Sequence, residues 1–316
     1  MDMQQHKRSW LNYLTLWLKG MMMGAADAVP GVSGGTVAFM TGIYEELIYS
    51  LNQCGPQALN VLLNKGLSAA WRHINGSFLA TLLTGILFSL LTLSSVVLFL
   101  LDTYPELIWS FFFGLIVAAI WSLIRHIEQW KATTVIAFTI GAISAYLITS
   151  LTPASIEPSY FYVFLSGMIA ICAMILPGIS GSFILLLLGM YSHILIALKN
   201  LEMVVLGIFA TGCVIGLLSF SRMLNWMFSS YKITTLALLG GFMLGSLNKV
   251  WPWKHTLEST LDRHGKEIPL IQENILPDTF EALSGQSALL GYSISLMFMG
   301  VIIVMFLEKV ATKSTK

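Results

Sequence analysis

The sequence predicts an all-α polytopic membrane protein that is built as an inverted repeat, in which each half has a re-entrant Pro-Gly-x-Ser-Gly hairpin plus three transmembrane helices. Three observations support this prediction. Of the 316 residues, 56% are hydrophobic and only 10% are charged, whereas a soluble protein carries about 25% charged residues. Several apolar runs reach the length of about 20 residues that a bilayer crossing requires. Two further apolar stretches carry the same break near the middle.

Charge and cysteine content exclude several classes of protein. The 17 Lys and Arg residues nearly balance the 16 Asp and Glu residues, so no basic surface for nucleic acid is indicated. Cys54, Cys172 and Cys213 lie far apart and form no cluster with histidine, which argues against zinc, an iron–sulfur centre and a disulfide framework. The mean hydropathy of +0.78 indicates a protein whose surroundings are membrane lipids. We therefore expect no metal, no cofactor and no nucleic-acid partner.

The apolar runs divide the chain into two halves of the same order. The first repeat is predicted at 1–151, with its hairpin and spans at about 10–49, 77–101, 106–124 and 132–151. The second repeat is predicted at 161–307, with its hairpin and spans at about 161–198, 203–221, 233–250 and 286–307. Irregular backbone inside a membrane must be surrounded by protein or by a water-filled cavity. We therefore interpret each broken stretch as a re-entrant hairpin, with two full crossings as the alternative.

The distribution of basic residues orients the chain, because cytoplasmic loops carry an excess of Lys and Arg. The loop 51–76, the turn 222–232 and the tail 308–316 carry such residues and are predicted to be cytoplasmic, as is the N-terminus. The loop 251–285 is predicted to be extracytoplasmic, since six carboxylates offset its three basic residues. Both termini are therefore predicted to lie in the cytoplasm.

An internal repeat accounts for the two breaks. A shift of 147 residues, from Pro30 to Pro177, aligns 29–48 with 176–195. The identical pairs are Pro30/Pro177, Gly31/Gly178, Ser33/Ser180, Gly34/Gly181, Gly42/Gly189 and Tyr44/Tyr191. A second shift, of 127 residues, aligns Gly85 with Gly212 and Gly114 with Gly241. Because three spans per half is an odd number, the halves are expected to be inverted, and paired broken segments of this kind indicate the binding site of a transporter.

The repeated motif suits the binding of an anion. Proline ends a helix and the glycines permit a tight turn, so the next half-helix is predicted to begin near Ser33 or Ser180. Its first N–H groups lack partners and lie at the positive end of the helix dipole, which favours a phosphate or a carboxylate. The alternative is that the motif only turns the chain and that serine caps the helix. The candidate binding residues are Pro30, Gly31, Ser33, Gly34, Gly35, Thr36, Pro177, Gly178, Ser180, Gly181 and Ser182.

Four charged residues are further candidates. Asp27 lies in an uncharged stretch three residues before Pro30, and an ionisable group at such depth is a functional candidate. It is expected to couple protons or to hold the hairpin, unless it is exposed at an interfacial turn. Glu45 and Glu46 close the first hairpin and are candidates for gating or for binding a coupling cation, with a solvated hairpin end as the alternative. Arg222 offers the planar fork that suits phosphate, unless it extends to the membrane surface.

The motifs place the chain near a known family. The segments 24–36, 42–45 and 176–182 resemble the bacterial polyprenyl-phosphate transporter family, PopT-type, which was formerly catalogued as a domain of unknown function. The resemblance covers nearly the whole chain. It implies a multi-pass carrier of the bacterial cytoplasmic (inner) membrane that returns undecaprenyl phosphate from the outer to the inner leaflet, where the lipid is reused for peptidoglycan and other envelope polymers. A coupling ion, H⁺ or Na⁺, and a homodimer are left open.

The expected function is a membrane transporter and not an enzyme. Alternating access is expected, with the phosphate held between the opposed half-helix N-termini. A small-anion channel or an ion-coupled carrier is the alternative, because opposed half-helices also occur in pores. An intramembrane hydrolase is less favoured. Both motifs match Gly-x-Ser-Gly, but a serine nucleophile needs a nearby base, and no histidine lies inside an apolar span.

Overall fold

The computed structural model describes residues 8–29, 32–125, 127, 129–153, 157–261 and 267–314, and most of them are helical. The helices before residue 155 are α1 (Trp10–Asp27), α2 (Gly34–Met40), α3 (Tyr44–Gln53), α4 (Pro56–Lys65), α5 (Leu67–His73), α6 (Gly76–Thr92), α7 (Ser94–Thr103), α8 (Pro105–Arg125) and α9 (Ala132–Ser150). The later elements are α10 (Tyr160–Ile175), α11 (Gly181–Leu187), α12 (Tyr191–Lys199), α13 (Met203–Ser230), α14 (Lys232–Ser246), β1 (Lys254–Leu261), β2 (Glu267–Asn274), α15 (Pro277–Ser284) and α16 (Leu290–Ser314).

The described residues form three helices that are long and apolar enough to cross a membrane, namely α8, α9 and α13. Two bent pairs raise this number to five if each pair is one span: α5 with α6, bent by 72°, and α11 with α12, bent by 108°. Shorter apolar helices are α10, α14 and the part of α16 up to Phe306. The prediction of a mostly helical membrane protein is therefore confirmed.

Both broken stretches are interrupted where the sequence predicts, and each holds three helices. A second turn follows the break, between α2 and α3 and again between α11 and α12. Gly42 and Gly189 occupy these two turns with φ of +73° and +68°, a conformation that glycine adopts without strain. In both turns the next residue, Ile43 or Met190, donates its N–H to a carbonyl five residues earlier. Gly42 and Gly189, which the sequence repeat aligns, therefore end the short helices α2 and α11 in the same way.

The helix that precedes each break packs closely against the first helix that follows its hairpin. α1 packs against α6, and α10 packs against α13. A Cβ atom on Gly85 of α6 would overlap the carbonyl oxygen of Trp17. A Cβ atom on Gly212 of α13 would overlap the carbonyl oxygen of Phe164 in the same way. The two crossings are thus equivalent at the shifts of 127 and 147 residues that align the sequence.

The remaining long helices pair across the two halves of the sequence. α8 packs against α16, and α14 packs against α9. Glycine allows the backbones to approach in both pairs, as is common between membrane helices. Gly114 of α8 lies against α16, where its Cβ would overlap Met297, and Gly241 of α14 lies against Phe138 of α9. Each half therefore contributes one helix to each of these two pairs.

The structure differs from the predicted span limits in four places. The span predicted at 77–101 is two helices, α6 and α7. α13 continues to Ser230, so the residues predicted as a turn at 222–232 are mostly helical. α16 continues to Ser314 through most of the predicted tail. The loop predicted at 51–76 contains α4 and α5, which begin after glycines and are too short to span a bilayer.

The described residues of the segment predicted as an extracytoplasmic loop, 251–261 and 267–285, form two strands and a helix. β1 and β2 form a two-stranded antiparallel sheet, in which Lys254 pairs with Asn274. α15 follows, with Pro277 in its first turn and Gly285 at its end. The indole of Trp253 is buried and donates to the carbonyl oxygen of Ala288 at 2.9 Å, which fixes this segment to the start of α16.

The largest apolar core surrounds the two breaks. Among its fully buried side chains are Val29, Val32, Leu239 and Met243. Tyr44 is also buried in this core, although its side chain is polar. The centre of the molecule is therefore packed around the segments that carry the repeated motif.

Candidate functional site

The two breaks contact each other directly. The Ser33 hydroxyl lies 3.1 Å from the carbonyl oxygen of Met174 and 3.2 Å from that of Leu176, to which it donates. In return, the N–H of Gly178 donates to the Thr36 hydroxyl at 2.8 Å. Carbonyls at the end of α10 lose their helical partners where the helix stops, and the first break supplies a donor to them. The two copies of the motif therefore form one site.

A buried tyrosine strengthens this contact. The Tyr44 hydroxyl donates to the carbonyl oxygen of Ile175 at 3.1 Å, and its ring meets the edges of Phe39 and Phe228. Gly35 lies against the same carbonyl, because a Cβ there would stand 2.5 Å from the Ile175 oxygen. The fit is too close for a side chain at residue 35, so the glycine is required by packing.

The start of α2 is fully bonded within the protein. Asp27 accepts a hydrogen bond from the N–H of Gly34 at 2.7 Å, and the Ser33 hydroxyl accepts one from the N–H of Gly35 at 3.0 Å. The N–H of Thr36 donates to the Ser33 carbonyl at 2.9 Å. These are the donors that the sequence predicts for an anion. In this arrangement they are occupied by protein groups, one of which is the carboxylate of Asp27.

The start of α11 is bonded differently, although Ser180 is buried as Ser33 is. Met174 stands where the first half has Asp27, so no carboxylate caps this helix. The Ser180 hydroxyl is paired with the Ser182 hydroxyl at 2.7 Å and does not cap the backbone. Within the described ranges, the N–H groups of Gly181 and Ser182 have no hydrogen-bond partner. The second break thus has two hydroxyls that bond to each other and two backbone donors without a partner in the described residues, while the donors at the first break are occupied.

The prolines and outer glycines of the motif are only partly described. Pro30 and Gly31 lie outside the described residues. Pro177 is buried, and Gly178 has a φ of +92°, which a residue with a side chain rarely adopts. A Cβ on Gly178 would also stand 2.6 Å from the Ser246 hydroxyl oxygen. The second break is therefore shaped by glycine in both conformation and packing.

Arg222 lies apart from the breaks. It is exposed on α13, and its guanidinium packs against Gly55, between α3 and α4. Among the residues that the structure describes, neither break receives a hydrogen bond from Arg222. The structure therefore does not place Arg222, which the sequence predicts to contact phosphate, beside Ser33 or Ser180.

Glu45 and Glu46 form ion pairs that the sequence does not predict. Glu46 pairs with Arg8 and also accepts from the Asn75 amide at 2.9 Å. Glu45 pairs with Lys232 at 2.7 Å. Partners that lie 38 and 187 residues away leave no signal in the local sequence. The first hairpin is thereby joined to the N-terminal segment and to the start of α14.

Comparison with known proteins assigns the chain to a family. A sequence profile of the undecaprenyl phosphate translocase-like family matches residues 23–268, which include both breaks. A polyprenyl-phosphate transporter of Vibrio cholerae serotype O1 is 52% identical over 303 residues, which cover 96% of this chain and 98% of that protein. A polyprenyl-phosphate transporter of Staphylococcus aureus is 30% identical over 269 residues, which cover 79% of this chain and 88% of that protein.

No solved structure matches the chain. Both relatives are named as transporters, so the prediction of a membrane transporter is confirmed. The resemblance of the two motifs to polyprenyl-phosphate transporters is confirmed as well. The chain belongs to the undecaprenyl phosphate translocase-like family.

Proposed function

We propose that this protein moves undecaprenyl phosphate from the outer to the inner leaflet of the bacterial cytoplasmic membrane, where the lipid is reused for envelope polymers. The names of the two relatives support the substrate class. The observation that carries the proposal is the direct contact between the two breaks, from Ser33 to the end of α10 and from Gly178 to Thr36. A site built from two broken segments is typical of alternating-access transporters.

The paired helix contacts favour an inverted-repeat mechanism. α1 with α6 and α10 with α13 are equivalent pairs, as are α8 with α16 and α14 with α9. If each helix of the repeat 1–151 is exchanged with its equivalent in the repeat 161–307, the same set of helix pairs results. We propose that the halves rock against each other and expose the central site to each leaflet in turn. Both termini are proposed to lie in the cytoplasm.

We place the phosphate at the second break while the prenyl tail stays in lipid. A phosphate that leaves water must receive new hydrogen bonds, because burial of an unpaired charge is prohibitive. The hydroxyls of Ser180 and Ser182 and the N–H of Gly181 supply such donors. The first break contributes shape through Ser33 and Thr36. Its backbone donors reach a ligand only if their bonds to Asp27 and Ser33 open.

The charged residues at the predicted cytoplasmic side have separate proposed roles. The pair of Glu45 and Lys232 joins the two halves and is suited to act as a gate. Its strength is modest, because exposed ion pairs contribute about 0–1 kcal/mol, so the contact can open and close during a transport cycle. Arg222 is proposed to meet the phosphate only after its release toward the cytoplasm, since its guanidinium is exposed.

A reconstitution experiment distinguishes this function from a small-anion channel. Purified protein would be placed in liposomes that contain undecaprenyl phosphate, and head-group movement between leaflets would be followed together with the flux of inorganic phosphate and chloride. We expect protein-dependent lipid movement without flux of either soluble anion. Anion flux without lipid movement would contradict the proposed function and indicate a channel.

A further inference from the structure

A polar cavity lies beside α11, on the side that the distribution of basic residues predicts to be extracytoplasmic. Its volume is about 320 Å³, at the lower end of the range for ligand pockets. The ends of α9 and α14, the side of α11 and the strand β2 form its walls. Asn274 bonds to Asn248 at 2.7 Å, and Asn248 bonds to Ser150 at 3.3 Å. These bonds tie three of the walls together.

Two lysines line this cavity without a carboxylate partner. The Lys254 ammonium donates to the carbonyl oxygen of Lys249 at 2.7 Å and lies 4.0 Å from the centre of the Trp109 ring. The Lys249 ammonium lies 4.6 Å from the centre of the Phe183 ring. Glu273 also lines the cavity, but in the described part of the chain it forms no ion pair with either lysine. The cavity is therefore lined by two lysines and one glutamate, and neither lysine is paired with that glutamate.

The surroundings of these lysines disfavour their charged forms. Burial lowers the pKa of Lys249. Burial also lowers the pKa of Lys254 well below its usual range, and the nearby charge of Lys249 acts in the same direction. Two partly desolvated cations held close together favour an anion between them, because opposite charge restores the charged form of each group.

The shape of the cavity restricts the class of anion. Phe183, Leu186 and Leu187 provide an apolar wall from α11, and Tyr146 adds to it. A phosphate monoester carries a charge between −1.5 and −2 at neutral pH, roughly matching two lysines. An apolar substituent on that phosphate would pack against the apolar wall that α11 provides. A prenyl phosphate fits both features, whereas inorganic phosphate uses only the charged one.

We propose that this cavity binds a phosphate monoester, with the ammonium groups of Lys249 and Lys254 as its charged contacts. Phe183 lies in the first turn of α11, so an anion bound here is close to the second break. The further role of this cavity as the first binding site for the lipid head group on the outer side rests on the proposed function. The binding of a phosphate monoester to the cavity does not depend on that function.

Binding to the purified full-length protein in detergent tests the proposal. The probes are farnesyl phosphate, a prenyl phosphate of short chain, and inorganic phosphate. We expect Lys249→Met to weaken farnesyl phosphate binding by at least about tenfold, as for the loss of a hydrogen bond to a charged group. Lys249→Arg should restore most of the affinity. Lys199→Met removes the same charge from an exposed position outside the cavity and should bind as the wild type does.

The remaining outcomes distinguish a lipid head group from free phosphate as the source of the anion. They also distinguish failure of the proposed site from failure of the proposed transport function. Tighter binding of farnesyl phosphate than of inorganic phosphate identifies a lipid head group, and equal binding identifies free phosphate. Wild-type affinity in both Lys249→Met and Lys254→Met would overturn the site. If binding depends on Lys249 but the protein moves no lipid in liposomes, the proposed site stands and the proposed transport function is refuted.

Discussion

Replacement of Thr36 by valine is expected to reduce transport strongly, by about tenfold or more if the lost contact is worth the usual 1–3 kcal/mol of an unsatisfied buried group. Valine keeps the shape of threonine but cannot accept the hydrogen bond that the N–H of Gly178 donates at 2.8 Å. That N–H is buried between the two breaks and would have no other acceptor in this arrangement. The measurement is lipid movement in proteoliposomes, together with the thermal unfolding temperature in detergent.

Thr41 offers a matched control for this substitution. Its side chain is also buried, and it follows α2 directly. Among the described residues, the Thr41 hydroxyl bonds to carbonyls of α2 and not to the second break, chiefly to that of Val37 at 2.8 Å. Thr41→Val is therefore expected to retain transport. Equal transport rates in Thr36→Val and Thr41→Val would show that the bond between the breaks has no part in the cycle.

Replacement of Asp27 by alanine is the second change with a large expected effect. Alanine removes the acceptor for the N–H of Gly34, which now bonds to Asp27 at 2.7 Å. Loss of a helix cap costs about 0.5–2 kcal/mol, and the start of α2 would also lose the negative charge that its dipole favours. We expect a lower unfolding temperature and a large loss of transport, because the contact with α10 depends on the position of Ser33.

Asp27→Asn separates the capping role from a role in proton coupling. Asparagine still offers an oxygen to Gly34, and asparagine and aspartate are about equal as helix caps. If Asp27 mainly holds the hairpin, this variant should fold as the wild type does and keep most of its transport. A stable Asp27→Asn protein that has lost transport would instead indicate that the carboxylate must exchange a proton.

The sequence repeat predicted the centre of the molecule well, and the reason is physical. Proline and glycine act on the backbone locally, so the breaks after α1 and α10 could be located from residue type alone. The second turns, at Gly42 and Gly189, were not predicted, although the repeat aligns the two glycines. The identity of Tyr44 and Tyr191 pointed to the same region. The sequence could not indicate that Tyr44 would bond across to Ile175, because that contact depends on how the halves pack.

The chemistry of the site was less accessible from the sequence. The motif predicts free N–H groups at both half-helices, but Asp27 satisfies one of those at α2 from seven residues away, and only Met174 at the equivalent position hints at the difference. The cavity lysines were missed for two reasons: Lys249 lies at the end of the apolar run 233–250, and the carboxylates of 251–285 offset Lys254 in a charge count. The two-stranded sheet in that segment was missed because its strands lack the strict apolar alternation that would predict a sheet.

The most direct test of the central claim compares head-group movement in liposomes for the wild type and for the double variant Ser180→Ala with Ser182→Ala. The control is Ser166→Ala, which removes a buried hydroxyl whose bond in the described structure is to Val163 of its own helix. We expect the wild type and the control to move undecaprenyl phosphate, and the double variant to be slower by at least about tenfold, the usual loss for a hydrogen bond to a charged group. Its unfolding temperature should be unchanged. A double variant that transports at the full rate would contradict a phosphate site at the second break.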